Sequence, residues 1–152
     1  MDPQFWKNKN VLVTGHTGFK GSWLSIWLKS LGANLTGYSL SPPTNPSLFE
    51  LAEVSDGMQC ITGDIRDLDH VKDVLQERSP EILIHMAAQS LVVSSHENPI
   101  DTYTTNVLGT LNVLEAVRRT ESVKVVLIIT SDKCYKNNEW DYGNEDNIKE
   151  FT

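Results

Sequence analysis

The 152 residues suffice for one domain with a core of its own, and 39% hydrophobic with 22% charged residues are globular values. A net charge of −7 with no basic cluster speaks against a nucleic-acid partner, and the two cysteines, Cys60 and Cys134, form no metal-ligand or disulfide pattern. No apolar run has the length of a membrane span or the look of a signal region, so the expectation is a cytoplasmic globular protein without metal, nucleic acid or membrane as partner.

Residues 11–13, Val-Leu-Val, form the short apolar run that a buried parallel strand needs. After the turn Thr14 to Gly21, the spacing predicts a helix over 22–31. Trp23, Leu24, Trp27, Leu28 and Leu31 then share one face, and Gly32 stands at the C′ position that ends the helix. Gly15, Gly18 and Gly21 thus fall three apart in a strand-to-helix turn. Gly15 permits the tight turn, Gly18 lets the backbone approach a pyrophosphate, and Gly21 lets helix and strand pack closely. The N–H groups at the helix start, with the dipole behind them, attract phosphates. A bare glycine trio is a weak signal; in this frame it predicts a dinucleotide site, the alternative being a glycine-rich turn with no ligand.

A second strand is expected over 33–38, and Pro42, Pro43 and Pro46 make 39–47 a loop. A short helix over 48–54 and a strand over 58–62 follow. The helix predicted over 68–78 turns Val71, Val74 and Leu75 inward, and 82–85 is the fourth strand. Pro99 opens a long helix over 99–119, whose stripe Ile100, Tyr103, Val107, Leu111, Leu114 and Val117 is core or an oligomer face. A buried strand is expected over 124–130. Five strands with intervening helices predict an α/β, Rossmann-type doubly wound parallel sheet with right-handed crossovers.

Ligands in such sheets bind beyond the carboxyl ends of the strands, at the switch point. After the second strand, where an acid often holds the adenine ribose, stands Ser39. It can bond a ribose hydroxyl but does not repel a 2′-phosphate, which leaves NAD and NADP both open. After the third, Asp64 is placed to accept from an adenine amino group with Ile65 against the ring, although Asp64 or Asp67 can equally cap the next helix, Asp67 being better placed. After the fourth come Ala87, Ala88 and Gln89, the small pair permitting close approach of a cofactor. His85 reads more readily as a buried, satisfied histidine than as a catalyst. Thr105 and Asn106 are the polar exceptions on the long helix. After the fifth, Thr130, Ser131, Asp132 and Lys133 bring a hydroxyl, an acid and an amine to the crevice, a set suited to proton transfer unless it is only a solvated turn.

Thr14 to Gly21 as T-G-x-x-G-x-x-G, Gly63-Asp64-Ile65, His85-Met86-Ala87-Ala88, Thr105-Asn106-Val107-x-Gly109-Thr110 and Thr130-Ser131-Asp132-Lys133-x-Tyr135 match, in order, the extended short-chain dehydrogenase/reductase family of NAD-dependent epimerases and dehydratases. The resemblance covers nearly the whole chain and weakens after Trp140. The stretches His16 to Leu24, Pro42 to Glu50 and Ser131 to Tyr135 resemble more specifically the nucleotide-sugar 4,6-dehydratases that act on CDP-glucose. This resemblance implies NAD, with NADP not excluded. The cofactor would be held by Gly15, Thr17, Gly18, Phe19, Lys20, Gly21, Ser39, Asp64, Ile65, Ala87, Ala88, Gln89, Thr105, Asn106 and Thr130.

It also implies a reaction. Hydride leaves C4 of the glucose unit, the ketone acidifies the C5 proton, water departs from C6, and the hydride returns to C6. By position Ser131 would polarise the C4 oxygen, Asp132 protonate the departing hydroxyl, and Lys133 assist removal of the C5 proton. The related dTDP-glucose dehydratases carry Glu at the Lys133 position. A lysine base must be neutral, which needs desolvation or a nearby cation, so Lys133 is either the base or an electrostatic helper. One departure stands out: the family oxidises C4 with a Tyr-x-x-x-Lys pair. Four residues after Tyr103, Tyr135 and Tyr142 stand Val107, Glu139 and Asp146. The expectation is therefore an amino-terminal part of such an enzyme, residues 1–152 forming an incomplete dinucleotide-binding domain. It would be inactive alone, lack the substrate lobe, and form a homodimer in the full-length protein. The alternatives are a non-catalytic dinucleotide-binding module, or part of a family epimerase or reductase, against which the adjacent Asp132 and Lys133 speak.

Overall fold

The structure, a computed structural model, describes residues 3–131. A short helix α1 (Pro3–Trp6) precedes strand β1 (Asn10–Thr14), helix α2 (Phe19–Ser30) and strand β2 (Asn34–Ser39). Helix α3 (Leu48–Leu51), strand β3 (Gln59–Thr62), helix α4 (Leu68–Arg78) and strand β4 (Ile82–His85) follow. Helices α5 (Val92–Glu97) and α6 (Pro99–Tyr103), a π-helical segment (Thr104–Gly109) and helix α7 (Thr110–Arg118) then lead to strand β5 (Val125–Ile128). The strands pair in parallel in the order β3-β2-β1-β4-β5, the doubly wound sheet that the alternation predicts. The chain winds from β1 outward to β3 and then crosses back to β4, so the switch point lies between β1 and β4.

Strand side chains alternate between the two faces. Val11, Val13, Ile82 and Ile84 pack with Leu35 and with Leu28 of α2, while Leu12 and Leu83 meet Val71, Val74 and Leu75 of α4 and Val113 and Ala116 of α7. Caps set the helix ends. The Asp67 carboxylate accepts the His70 N–H at 3.0 Å and opens α4. The Ser47 hydroxyl accepts the Glu50 N–H and donates to its carboxylate, opening α3. At the end of α2 Gly32 takes φ +82°. Its N–H bonds to the Lys29 carbonyl and that of Ala33 to the Leu28 carbonyl, a Schellman closure.

Four expectations are corrected. Helix α2 begins at Phe19, three residues earlier than its apolar spacing suggests, because Gly18 serves as N-cap without a side-chain bond. Its buried face is Gly21, Ser22, Ser25 and Leu28, whereas Trp23 and Trp27 are exposed, because only small residues fit where the helix presses on the turn. The single long helix over 99–119 is interrupted by the π-helical segment and preceded by α5, which no pattern announced. Of the stripe expected to be core or an oligomer face, Val117 packs against the core and Ile100, Tyr103, Val107, Leu111 and Leu114 are exposed, while Gly109, Val113 and Ala116 face inward. Strand β5 is half-exposed rather than buried, with Val125, Leu127 and Ile129 on the open face. Among the described residues no helix is long and apolar enough to cross a membrane, and no group of His, Cys, Asp or Glu is arranged to hold a metal ion.

Candidate functional site

The glycine turn is seated on the end of β4. Gly15 has φ +76°, and a Cβ there would stand 2.7 Å from the Ala87 nitrogen, so both backbone conformation and space demand glycine. At Gly21 a Cβ would fall on the Gly15 carbonyl, which is the close helix–turn packing expected of the third glycine. Gly18 differs: a Cβ would meet only the Gly15 carbonyl oxygen, at 3.4 Å, so the fold itself has room there. Helix α2 is twelve residues long, has no acidic residue in its first turn and no side-chain cap. Its N-terminal N–H groups and dipole are therefore left for an anion at the crevice.

Thr17 sits between the turn and β2. Its hydroxyl donates to the Leu40 carbonyl at 2.9 Å and lies 2.8 Å from the Ser39 hydroxyl. Phe19 and Lys20 are exposed on the first turn of α2. His16 is buried against Phe49, ring edge to face. Burial lowers its pKa to about 4, although a bond with the Tyr38 backbone pulls the other way.

Beyond β3 the Asp64 carboxylate is gripped by Arg66 through Nε at 2.9 Å and Nη2 at 2.6 Å, and Arg66 also reaches Asp101 of α6 at 2.7 Å. Hydrogen bonding from Arg66 holds the Asp64 carboxyl below the usual range. Ile65 is buried in the core beside Gly109, and Asn112 binds the Ile65 and Arg66 carbonyls. Tyr38 donates to the Asp64 carbonyl at 2.9 Å; burial, with Asp67 and Asp64 nearby, raises its pKa to about 12.

Beyond β4, Ala87 touches the glycine turn, Ala88 is exposed, and Gln89 is held by Asn106 of the π-helical segment. Thr105 is half-buried next to it. His85 is the satisfied histidine foreseen: buried, bonded to Thr14 at 2.7 Å and Thr110 at 3.0 Å, its pKa lowered to about 4 by burial. Thr130 and Ser131 follow β5, both exposed. Asp132 and Lys133 lie outside the described residues. The structure thus brings Gly15 to Ala87, Thr17 to Ser39 and Asn106 to Gln89, all at carboxyl ends of strands. Thr14 and Thr110 were not singled out in the sequence for a role of their own, since a lone threonine carries no periodic or spacing signal.

A parallel sheet in this order, with a glycine turn at its switch point, defines the Rossmann-type class of folds. Within that class the chain belongs to the family described as GDP-mannose 4,6 dehydratase, whose model matches residues 12–149. It is 53% identical over 147 residues to the CDP-glucose 4,6-dehydratase of Salmonella typhimurium (strain LT2), an alignment covering 97% of this chain and 41% of that protein. The chain therefore spans less than half of that relative's length. An epimerase structure from Methanothermobacter thermautotrophicus superposes with a TM-score of 0.78 at 27% identity, covering 97% of this chain and 43% of that one. The UDP-glucose 4-epimerase from Brucella ovis, in complex with NAD, gives 0.70 at 29% identity over 84% and 37% of the two chains.

Proposed function

We propose that residues 1–152 are the dinucleotide-binding part of a nucleotide-sugar 4,6-dehydratase that converts CDP-glucose to CDP-4-dehydro-6-deoxyglucose with NAD as its cofactor. The observation that carries this reading is the 53% identity, over almost the whole chain, to a CDP-glucose 4,6-dehydratase. The glycine turn supports it: Gly18 is the one glycine of the three with open space at its Cα, where a pyrophosphate would approach the uncapped start of α2. Ser39 would bind a ribose hydroxyl, Asp64 and Ile65 the adenine, and Ala87 to Gln89 with Thr105, Asn106 and Thr130 the remainder. When bound, NAD+ supplies a reversible two-electron acceptor for the sugar. In this reading Ser131 holds the C4 oxygen, Asp132 gives a proton to the hydroxyl leaving C6, and Lys133 acts on the C5 proton as base or as electrostatic helper. A cytoplasmic homodimer, paired through the exposed stripe from Ile100 to Leu114, belongs to the same proposal.

Calorimetric titration of the 152-residue chain with NAD+ and NADP+ tests the binding half. Saturable NAD+ binding is expected. Gly18→Val should weaken it about tenfold or more with the fold retained, since a branched side chain stands in the phosphate path. Absence of saturable binding by either dinucleotide would overturn the reading. The chain contains no Tyr-x-x-x-Lys pair at Tyr103, Tyr135 or Tyr142, so CDP-glucose and NAD+ should give no 4-keto product with it alone. Turnover by the pure chain would refute the assignment of oxidation to that pair.

A further inference from the structure

The hydrogen bonds around His85 run in one direction. Thr14 Oγ1 accepts the N–H groups of Met86 and Ala87, each at 3.1 Å. With both lone pairs engaged, its own proton goes to His85 Nδ1, 2.7 Å away. A neutral imidazole that accepts at Nδ1 carries its proton on Nε2, and Nε2 lies 3.0 Å from Thr110 Oγ1. Thr110 in turn donates to the Asn106 carbonyl at 2.7 Å. The Asn106 side chain closes the circuit, accepting the Gln89 N–H and donating to the Gln89 carbonyl, both at 2.8 Å. The circuit starts on Met86 and Ala87 and ends on Gln89, so it pins both ends of the segment that leaves β4.

It also accounts for the π-helical segment. In an α-helix the Asn106 carbonyl would accept the Thr110 N–H. In the π-helical register N–H groups reach carbonyls five residues back instead of four, and the Thr110 hydroxyl covers the Asn106 carbonyl at 2.7 Å. Helical segments of this kind are rare and concentrate at functional sites.

We propose that His85 and Thr110 are positioning residues of the crevice: their directed hydrogen bonds hold the π-helical register that sets Asn106 on Gln89, and so fix the 86–89 backbone as the wall along which the dinucleotide lies. The register part stands on this chain's own bonds; the dinucleotide part rests on the function proposed above. Burial of His85, 2% exposed, keeps the imidazole neutral and its bonds in the stated direction.

The test compares three variants of the 15N-labelled chain. Thr110→Val removes the hydroxyl at constant shape, Thr110→Ser restores it, and Thr120→Val removes an equivalent hydroxyl, bonded to the Ala116 carbonyl beyond the far end of α7. Imidazole spectra should show the Nε2–H tautomer for His85 in the parent chain. Thr110→Val should speed exchange of the Gln89 amide about tenfold and weaken NAD+ about tenfold, Thr110→Ser should restore both, and Thr120→Val should lower the melting point while moving neither. An Nδ1–H tautomer overturns the proposal. So do exchange and affinity that follow the melting point alone, with Thr120→Val acting like Thr110→Val. If the parent chain binds no dinucleotide the functional reading fails, while the tautomer and the Gln89 exchange still decide the register.

Discussion

Strands β1 and β5 are built from the same kind of residue and live in different surroundings. Val11, Leu12 and Val13 are at most 2% exposed, whereas Val125 and Leu127 are 51% and 50% exposed. The contrast does not come from the sheet: Val125 and Leu127 stand in register beside Ile82 and Ile84, which are buried. It comes from cover. A helix about 10 Å across shields roughly two strands spaced about 4.8 Å apart. Helix α2 packs on β1 and β2, and among the described residues none lies over the outer face of β5. Apolar sequence thus records what a strand is made to touch, and burial records what touches it.

The largest effect expected of a single substitution is at Leu83, fully buried between α4 and α7. Leu83→Ala should cost about 3 kcal/mol in urea unfolding, because it leaves a cavity in the core. Of the same order for each group is the response to pH, which should be confined to the buried region. His16 and His85 take up protons near 6.5 when unfolded but only near 4 when folded. Acid therefore favours the unfolded chain. Stability should be full above pH 6.5 and fall progressively toward pH 4, by an order of about 3 kcal/mol per histidine at the lower limit. A urea midpoint flat between pH 7 and 5 would contradict the burial of these rings. Asp67→Ala, which removes the cap of α4, should cost about 1 kcal/mol in the same assay. The smallest effect belongs to β5: Leu127→Ser should change stability by no more than about 0.5 kcal/mol and raise solubility. A loss comparable to that at Leu83 would dissolve the contrast.

Where local chemistry decides, the fold was legible. Helix α4 and strand β4 run over the residues that their cap and apolar spacing indicate, and the Gly32 closure of α2 follows from one glycine. Where tertiary contact decides, it was not. The spacing of Trp23 and Trp27 describes a helix face, but which face turns inward depends on Gly21 lying against Gly15. The π-helical segment depends on a hydroxyl meeting a carbonyl one turn away and on His85 across the crevice, and neither partner leaves a pattern in the chain. The cofactor-side candidates gathered at strand ends because the topology, readable from strand alternation, puts all carboxyl ends on one edge.

Gly109 and Ile65 meet across the joint between the π-helical segment and the loop after β3. A Cβ on Gly109 would stand 2.6 Å from Ile65 Cδ1 and 2.7 Å from Cγ1, but 3.6 Å from its Cβ. Two alanines would therefore fit where one alanine and the isoleucine do not. Substitution at these positions is then a matter of order: Ile65→Ala first opens a gap that Gly109→Ala afterwards fills, while the reverse path begins with a collision. Among descendants of a common ancestor, an alanine at 109 would be found only beside a small residue at 65.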